Sequence, residues 1–455
     1  MNRHLRWTPV LICFAVTLSF SLNFYYRAPY HDHWDLVTHY QRLQTGAYAW
    51  GDLFVLHGSH WHASGLFVKL ILAKLTGMSH WIESAASVAF AGLGFLALAR
   101  ILLRVFEQSG VASLRATIWL FGVAAFFFFS LDQAGNWLWG WQVSVFINLA
   151  GVLWAIERLS SGSPCCVNSL LASIAAAIAI YAFATGWAVI PIGFGILIVN
   201  GAHRTWQGRG ALLIWTVSSA LILLHYAIAR SAATTAGLDT GFPTQLDFAA
   251  LMGFVHYTIN FLASPLVRFA RDVSIPIILI GLGVSAWSIW RLRQFEGVHF
   301  WQRIAPVLAL AAYSGGAALL TALGRWEAYG VKQAFVSRYI SFGTLFWIAI
   351  FALAMLLIVK LRTRSHRVLI SLLGMFLVLK LGNIPSVVQK PLRISADIQA
   401  TSEVLAVRYP DVTPADYAVL HAPGQDIAPH LVILHDHRAS FFATTPETDV
   451  EAPRD

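Results

Sequence analysis

Apolar runs of helix-spanning length recur along nearly the whole of this 455-residue chain, and they leave few folds open. A run of roughly 18 or more apolar residues crosses the hydrocarbon core as a helix, which satisfies its own backbone hydrogen bonds. A membrane barrel would show alternating strands of about ten residues instead. Segments of spanning length fall near 7–26, 82–103, 115–131, 137–157, 167–184, 186–200, 211–229, 273–290, 304–323, 339–359 and 367–383. The composition agrees: 57% hydrophobic and 12% charged, where soluble domains stand near a quarter charged. The 18 Trp and 13 Tyr suit interface belts. The expected class is all-α, a polytopic integral membrane protein of about eleven transmembrane helices.

Orientation follows from the basic residues. The net charge is +9, but the Lys and Arg are sorted by loop, which the positive-inside rule explains without nucleic acid as a partner. Arg3/Arg6, Arg100/Arg104/Arg115, Arg204/Arg209, Arg291/Arg293/Arg303 and Lys360/Arg362/Arg364/Arg367 fall on alternate loops. That places the N-terminus inside and the C-terminus outside, provided 249–267 does not cross. This run, with His256, Asn260 and Pro265, reads as a re-entrant or surface helix. Residues 1–26 read as a retained signal-anchor, because no small-x-small cleavage site follows the apolar core. The expected units are a membrane domain over 1–383 and a small outer appendage over 384–455, frayed at its end. The three cysteines, Cys13 and the adjacent Cys165 and Cys166, have no metal or disulfide spacing.

Three expected outer segments are long enough for chemistry: 27–81, 230–272 and 324–338. The first opens with Pro29-Tyr-His-Asp-His-Trp-Asp35. Acids are scarce in so apolar a chain, so Asp32 and Asp35 at a membrane face are candidate catalytic residues. Their i, i+3 spacing puts both on one face of a helix; the competing reading for Asp35 is a helix cap. Amphipathic stretches at Asp35–Thr45 and Gly65–Leu75 read as surface helices, with Lys69 and Lys74 snorkelling to water. Between them lies His57-Gly-Ser-His60-Trp-His62. Imidazoles and carboxylates together suit a divalent ion, though the spacing matches no standard zinc motif. His57 and His60 are candidate substrate-binding residues, and a metal, if bound, would fall to Asp32, Asp35 and His60.

Two further groups complete the candidates. In Asp132-Gln-Ala-Gly-Asn136-Trp-Leu-Trp139-Gly-Trp-Gln142, Asn136, Trp139 and Gln142 share a helical face. Amides beside indoles make a wall suited to a sugar, with Asp132 at its edge. The alternative is an aromatic belt with a capping Asn. In the last outer segment, Arg325, Lys332 and Arg338 run against the orientation bias. Arg325 and Arg338 suit a phosphate clamp, against a reading as lipid-headgroup contacts and an Arg325–Glu327 pair. Arg268 and Arg271, with Asp272, are weaker candidates of the same kind. No Walker loop, GxGxxG, GxSxG or HExxH is present.

One span, an outer loop with an early acid, surface helices with a His motif, and then many spans: this layout resembles the GT-C superfamily of polyprenyl-phosphate-dependent glycosyltransferases. The residues that carry the likeness are Asp32-His-Trp-Asp35, His57-Gly-Ser-His60, Asn136-Trp-Leu-Trp-Gly-Trp-Gln142 and Ser337-Arg338-Tyr339. Here the acids of the first site are separated by His33-Trp34, and Ser59 stands where relatives often have an acid. The resemblance implies a bacterial inner-membrane enzyme that transfers a sugar from a polyprenyl-phosphate donor to an outer-face acceptor with inversion. Asp32 would be the general base, Asp35 and His60 would orient acceptor or metal, and Arg338 with Arg325 or Lys332 would steady the leaving phosphate. Mg or Mn is a compatible cofactor. The rival is a transporter or flippase for a lipid-linked glycan or small solute, which would place polar or broken-helix residues at mid-membrane.

Overall fold

The computed structural model describes residues 3–57, 60–235, 247–361 and 365–444. Gly58, Ser59, Arg362, Arg364, residues 236–246 of an expected outer segment, and the tail from 445 lie outside them. No strand occurs among the described residues; the chain folds into α-helices joined by short 3-10 turns. Helix α1 is Thr8–Phe24, with Pro9 in its first turn, where a missing N–H costs nothing. The loop after α1 supplies α2, Asp35–Gln44, and α3, Ala63–Thr76, which Gly77 ends in the left-handed region at φ 62°. Then come α4, His80–Gln108, and α5, Leu114–Phe128, which is capped by Ser113. The short α6, Ala134–Leu138, precedes α7, Val143–Leu159. A tight group follows: α8, Cys166–Ala182, α9, Val189–Val199, and α10, Trp206–Thr235. Next are α11, Phe248–Val267, α12, Ser274–Glu296, α13, Phe300–Tyr329, and α14, Ser337–Lys360. The described chain ends with α15, Ser365–Arg408, and α16, Ala428–Asp436.

Ten helical segments among the described residues are long and apolar enough to cross a membrane, and two shorter apolar ones, Cys166–Ala182 and Ala184–Val199, accompany them. This is a multi-pass membrane protein. Its inside-out gradient fits: α7 and α14 are almost wholly enclosed, whereas α1 and α10 present Leu11, Ile12, Leu213 and Leu221 outward. Exposed aliphatic surface of that extent is stable against lipid and not against water.

The helices meet through small residues and satisfied polar groups. A Cβ at Gly151 would lie 2.6 Å from the Ala175 carbonyl oxygen, so only glycine lets α7 approach α8 so closely. Asn148 then donates to the Ala179 and Phe183 carbonyls and accepts from Tyr313 and Thr185, fastening α7, α8 and α13. At one end of the bundle Glu157 is buried and receives Arg100, Arg104 and Arg158 at 3.0, 2.7 and 3.1 Å. The opposite end collects the loop after α1 and residues 409–444.

Two elements bear on the expected topology. Helix α13 carries Arg325 to the loop end, and α12 joins its far end through Gly297–His299. So α12 starts at the loop end. Helix α10 also finishes there, with His225 Nδ1 2.7 Å from Tyr181 Oη and its ring beside Trp61. The intervening α11, 20 residues and apolar enough to span, therefore begins and ends at the same end of the bundle. The second element is α15. The expected boundary between 383 and 384 falls inside this single 44-residue helix, which runs on unbroken through Pro385 and Pro391. The segment after 383 is thus a continuation of the last spanning helix, followed by shorter pieces that fold back.

Candidate functional site

The chain leaves α1 at Tyr26, whose backbone N–H donates to the Leu138 carbonyl at 2.8 Å. His31 then takes the left-handed conformation at φ 49°, unusual for a residue with a Cβ. A 3-10 turn over His31–Trp34 follows. This turn sends His33 and Trp34 into the core and leaves Asp32 and Asp35 exposed side by side. Asp35 is the first residue of α2 and makes no capping bond. Its carboxylate instead faces His57, with Oδ2 3.5 Å from Nδ1. Partial burial raises its pKa, while His57 pulls it down and Asp32 pushes it up.

Basic side chains surround the Asp32 turn. Arg338, Lys390 and His421 act on His31 together with Asp32, and burial holds that imidazole below its ordinary range. Lys69 lies beneath both acids. Its expected snorkelling does not occur: it is fully enclosed, with Nζ 3.1 Å from the centre of the Trp141 ring. Burial pulls its pKa down to about 7, against the attraction of Glu83, Asp32 and Asp35. Helix α3, which reads as lying in the interface plane, is packed against α2, α7 and α8.

The histidine motif divides by exposure. His57 and His60 pair through their backbones, N–H to carbonyl at 2.9 and 3.4 Å. His57 looks out at Asp35, while His60 and His62 turn inward with their rings 4.8 Å apart. Burial first, then His57 and Arg325, takes His60 down to about 3. His62 is driven well below the imidazole range by burial, with His60, Lys69 and His57 adding to it. Both are neutral at physiological pH. His60 Nε2, His62 Nδ1, Lys69 Nζ and Trp139 Nε1 are buried without a hydrogen-bond partner in the protein. Unsatisfied buried polar atoms are rare and costly.

The amide–indole wall is rearranged. The helix breaks at Trp139 (ψ 105°) and resumes as a 3-10 turn, so Asn136, Trp139 and Gln142 do not share one face. Asn136 points into the bundle and donates to the Arg338 carbonyl at 3.0 Å and to Ser341 Oγ at 2.7 Å. It holds α14 and so positions Arg338. Gln142 is buried. Trp139 alone of the three lies against the acidic turn, its ring 5.6 Å from Tyr30 and 6.5 Å from His31. Asp132 is fully enclosed, with Lys380 Nζ at 2.6 Å and Asn383 Nδ2 at 3.2 Å. It ties α15 to the bundle and is not open to a substrate.

Of the basic candidates, Arg325 faces His60 and Arg338 faces His31, while Lys332 stands exposed on the turn between α13 and α14. The structure thus gathers Asp32, Asp35, His57, Trp139, Arg325 and Arg338 at one end. Asp32, Asp35 and His60 are not among groups spaced to share an ion; among the described residues the group that is comprises His33, His80 and Glu83. Lys390 and His421 are neighbours that the reading of the sequence passed over, and Lys69 is one that it read as snorkelling to water. No family model, curated protein or solved structure matches the chain.

Proposed function

We propose that this protein is a GT-C-like glycosyltransferase of a bacterial inner membrane, with eleven crossings, its N-terminus cytoplasmic and its C-terminus periplasmic. It transfers a sugar from a polyprenyl-phosphate donor to a periplasmic-side acceptor, with inversion. The observation that carries this reading is the exposed Asp32 carboxylate set among Arg338, Lys390 and Lys69. A general base needs an accessible carboxylate within hydrogen-bond reach of the acceptor hydroxyl. A leaving phosphate needs preorganised cations nearby. Asp32 abstracts the acceptor proton as the acceptor oxygen bonds the donor's anomeric carbon from the opposite face, while that carbon's bond to the phosphate oxygen breaks and its electron pair leaves with the phosphate. Arg338 and Arg325 stabilise that charge. Asp35, paired with His57, orients the acceptor, and Trp139 offers a flat apolar face for a sugar ring. Asp32, Asp35 and His60 do not gather as ligands for an Mg or Mn ion, so no step runs through one. A groove of about 660 Å³ beneath the first outer loop, lined by Leu53, Phe54, Phe67, Phe90, Ile178 and Tyr181, suits a prenyl chain.

Transport is the second reading, and the buried polar groups Asn148, Thr185, Tyr313, Asp132 and Lys380 favour it. Their hydrogen bonds to one another and to the backbone give them a structural role that needs no solute. The deciding experiment is transfer of radiolabelled sugar from polyprenyl-phosphate donors in membranes carrying the wild type or Asp32→Asn. Loss of roughly 10²–10⁴-fold in the variant is the expected result for a general base. Equal transfer in both would remove Asp32 from that role. Absence of transfer from folded wild type with every donor would favour transport.

A further inference from the structure

Three side chains that the proposed transfer leaves unused meet inside the loop end of the bundle. His33 comes from the turn after α1, and His80 and Glu83 from the first turn of α4. All three are buried, and each offers a ligand atom within 4.8 Å of the other two. His80 Nδ1 lies 3.0 Å from Glu83 Oε2. His33 Nε2 lies 3.3 Å from Oε1 and 3.3 Å from Oε2. A hydrogen bond between an imidazole and a carboxylate closes to about 2.7–2.9 Å when charge-assisted and favours one oxygen. His33 does neither. Ligands bonded at 2.0–2.1 Å to one tetrahedral ion stand roughly 3.3 Å apart. The His33–Glu83 spacing is that of neighbouring corners of a coordination sphere.

The surroundings fit the same purpose. His80 and Glu83 share a helix face by their i, i+3 spacing. Glu83 reaches His33 only because residue 140 is glycine; a Cβ there would run into the Glu83 side chain. The second nitrogen of His80, Nε2, lies 2.7 Å from Ser440 Oγ. The Ser440 oxygen can accept from Nε2 when Nδ1 takes up a metal, the usual partner arrangement around a metal-bound imidazole. Ser440 is itself held in the left-handed region at φ 57° and donates its N–H to the Gly77 carbonyl at 2.8 Å. A strained residue is kept only where its neighbours over-determine it. Two imidazoles and one carboxylate select a zinc-class ion over Mg or Ca, which prefer oxygen throughout.

We infer that His33, His80 and Glu83 bind one zinc-class divalent ion, with Ser440 as the outer partner of His80. The site lies beside the Asp32–Asp35 pair without including it, and it does not rest on the transfer reading. The ion clamps the 31–34 turn to α4 and so positions Asp32 and Asp35.

The test uses full-length protein purified in detergent, loaded with zinc and desalted. Elemental analysis is expected to find about one zinc per chain. Cobalt loading should give the visible bands of a four-coordinate ion in the wild type, a readout that needs no variant. His80→Ala and Glu83→Gln should lose the metal, while Asp32→Asn with Asp35→Asn should keep it. Ser440→Ala should bind roughly 10–100-fold more weakly, as for other outer-shell partners. A folded wild type that retains no zinc and shows no cobalt bands would overturn the site. So would zinc that survives in folded His80→Ala but leaves with the two aspartates.

Discussion

At the scale of residues, the strongest constraint on the site is the enclosed ammonium of Lys69. It has no hydrogen-bond partner, and its compensation is the face of Trp141 and the field of Glu83, Asp32 and Asp35. A cation–π contact recovers only about 2 kcal/mol even when desolvated. The lowered pKa states the rest of the cost. Below pH 7 the side chain is protonated in both the folded and unfolded chain, and the penalty is present in full. As pH rises from about 7 towards the ordinary lysine value, the folded state has already released the proton and the unfolded state has not, so the penalty fades. Lys69→Met, close in volume and uncharged, is therefore expected to raise the melting temperature in detergent most at pH 6 and least at pH 9. A gain independent of pH, or a loss, would show that the ammonium is not carrying this cost. Lys69 also marks what a sequence conceals. Asp32 and Asp35 were legible because acids are scarce in an apolar chain. A lysine on an amphipathic helix reads as a snorkelling residue, and only the packing of α3 against α2 and α7 turns it inward. Glu83 was hidden likewise: it sits in the first turn of an apolar helix, and its partner His33 comes from a turn fifty residues earlier.

At the scale of elements, periodicity located nearly every spanning helix but not what happens between them. The break at Trp139 arises where Asn136 is drawn to α14 and Trp139 to the Tyr30–His31 turn, two pulls from partners distant in sequence. A continuous helix could not satisfy both, and the expected sugar wall lost two of its three members. The case of α11 is different. Length and hydropathy alone make it a span, while the charge bias requires the chain to return to the side it left. Contacts at the loop end support the return. Tyr257 bonds Gln333 at the turn after α13, and the Arg268 N–H reaches Asn383, itself bonded to Asp132. Cysteine labelling tests this in a background without Cys13, Cys165 and Cys166. Ala232→Cys and Val273→Cys flank α11, and both positions are exposed. Both are expected to react with an impermeant maleimide from the same side as Trp50→Cys at the loop end. Trp206→Cys, at the opposite end, should react only after permeabilisation. Labelling of 232 and 273 from opposite sides would make α11 a crossing and reverse the orientation of everything after it.

At the scale of the whole molecule, the chain closes on itself at the loop end. Helix α15 leaves the bundle past α1, where Ser395 donates to the Phe24 carbonyl at 2.7 Å. The following segment lies over α2: Trp34 Nε1 donates to the Leu420 carbonyl at 2.9 Å, Thr38 meets His430 at 3.2 Å, and the ring of His437 stands 6.0 Å from Tyr40. Ser440 then reaches Gly77 and His80 at the start of α4. The turn bearing Asp32 and Asp35 is thereby held from beneath by the bundle and from above by this strap. The sequence separated these parts because proline and acid content changes after 383, and composition does not reveal that distant segments share one core. Leu420, Leu431 and Leu434 are buried with Trp34, Leu36 and Val37, which belong to the first loop. The strap is accordingly expected to be part of the cooperative unit. Trp34→Phe keeps most of the packed ring and removes the bond to Leu420, so a cost of about 1 kcal/mol is expected. Removing everything after Arg408 uncovers a fully buried Trp and its neighbours, and burial of one large apolar side chain is worth about 1.5–3 kcal/mol. The truncated protein should insert, because its spanning helices remain, yet lose sugar transfer and become open to protease within residues 30–60. Limited proteolysis of spheroplasts, read beside transfer, checks both. Full transfer by the truncated protein, with the loop still protected, would show that the bundle alone orders the acidic turn and that the strap is an ornament of the fold.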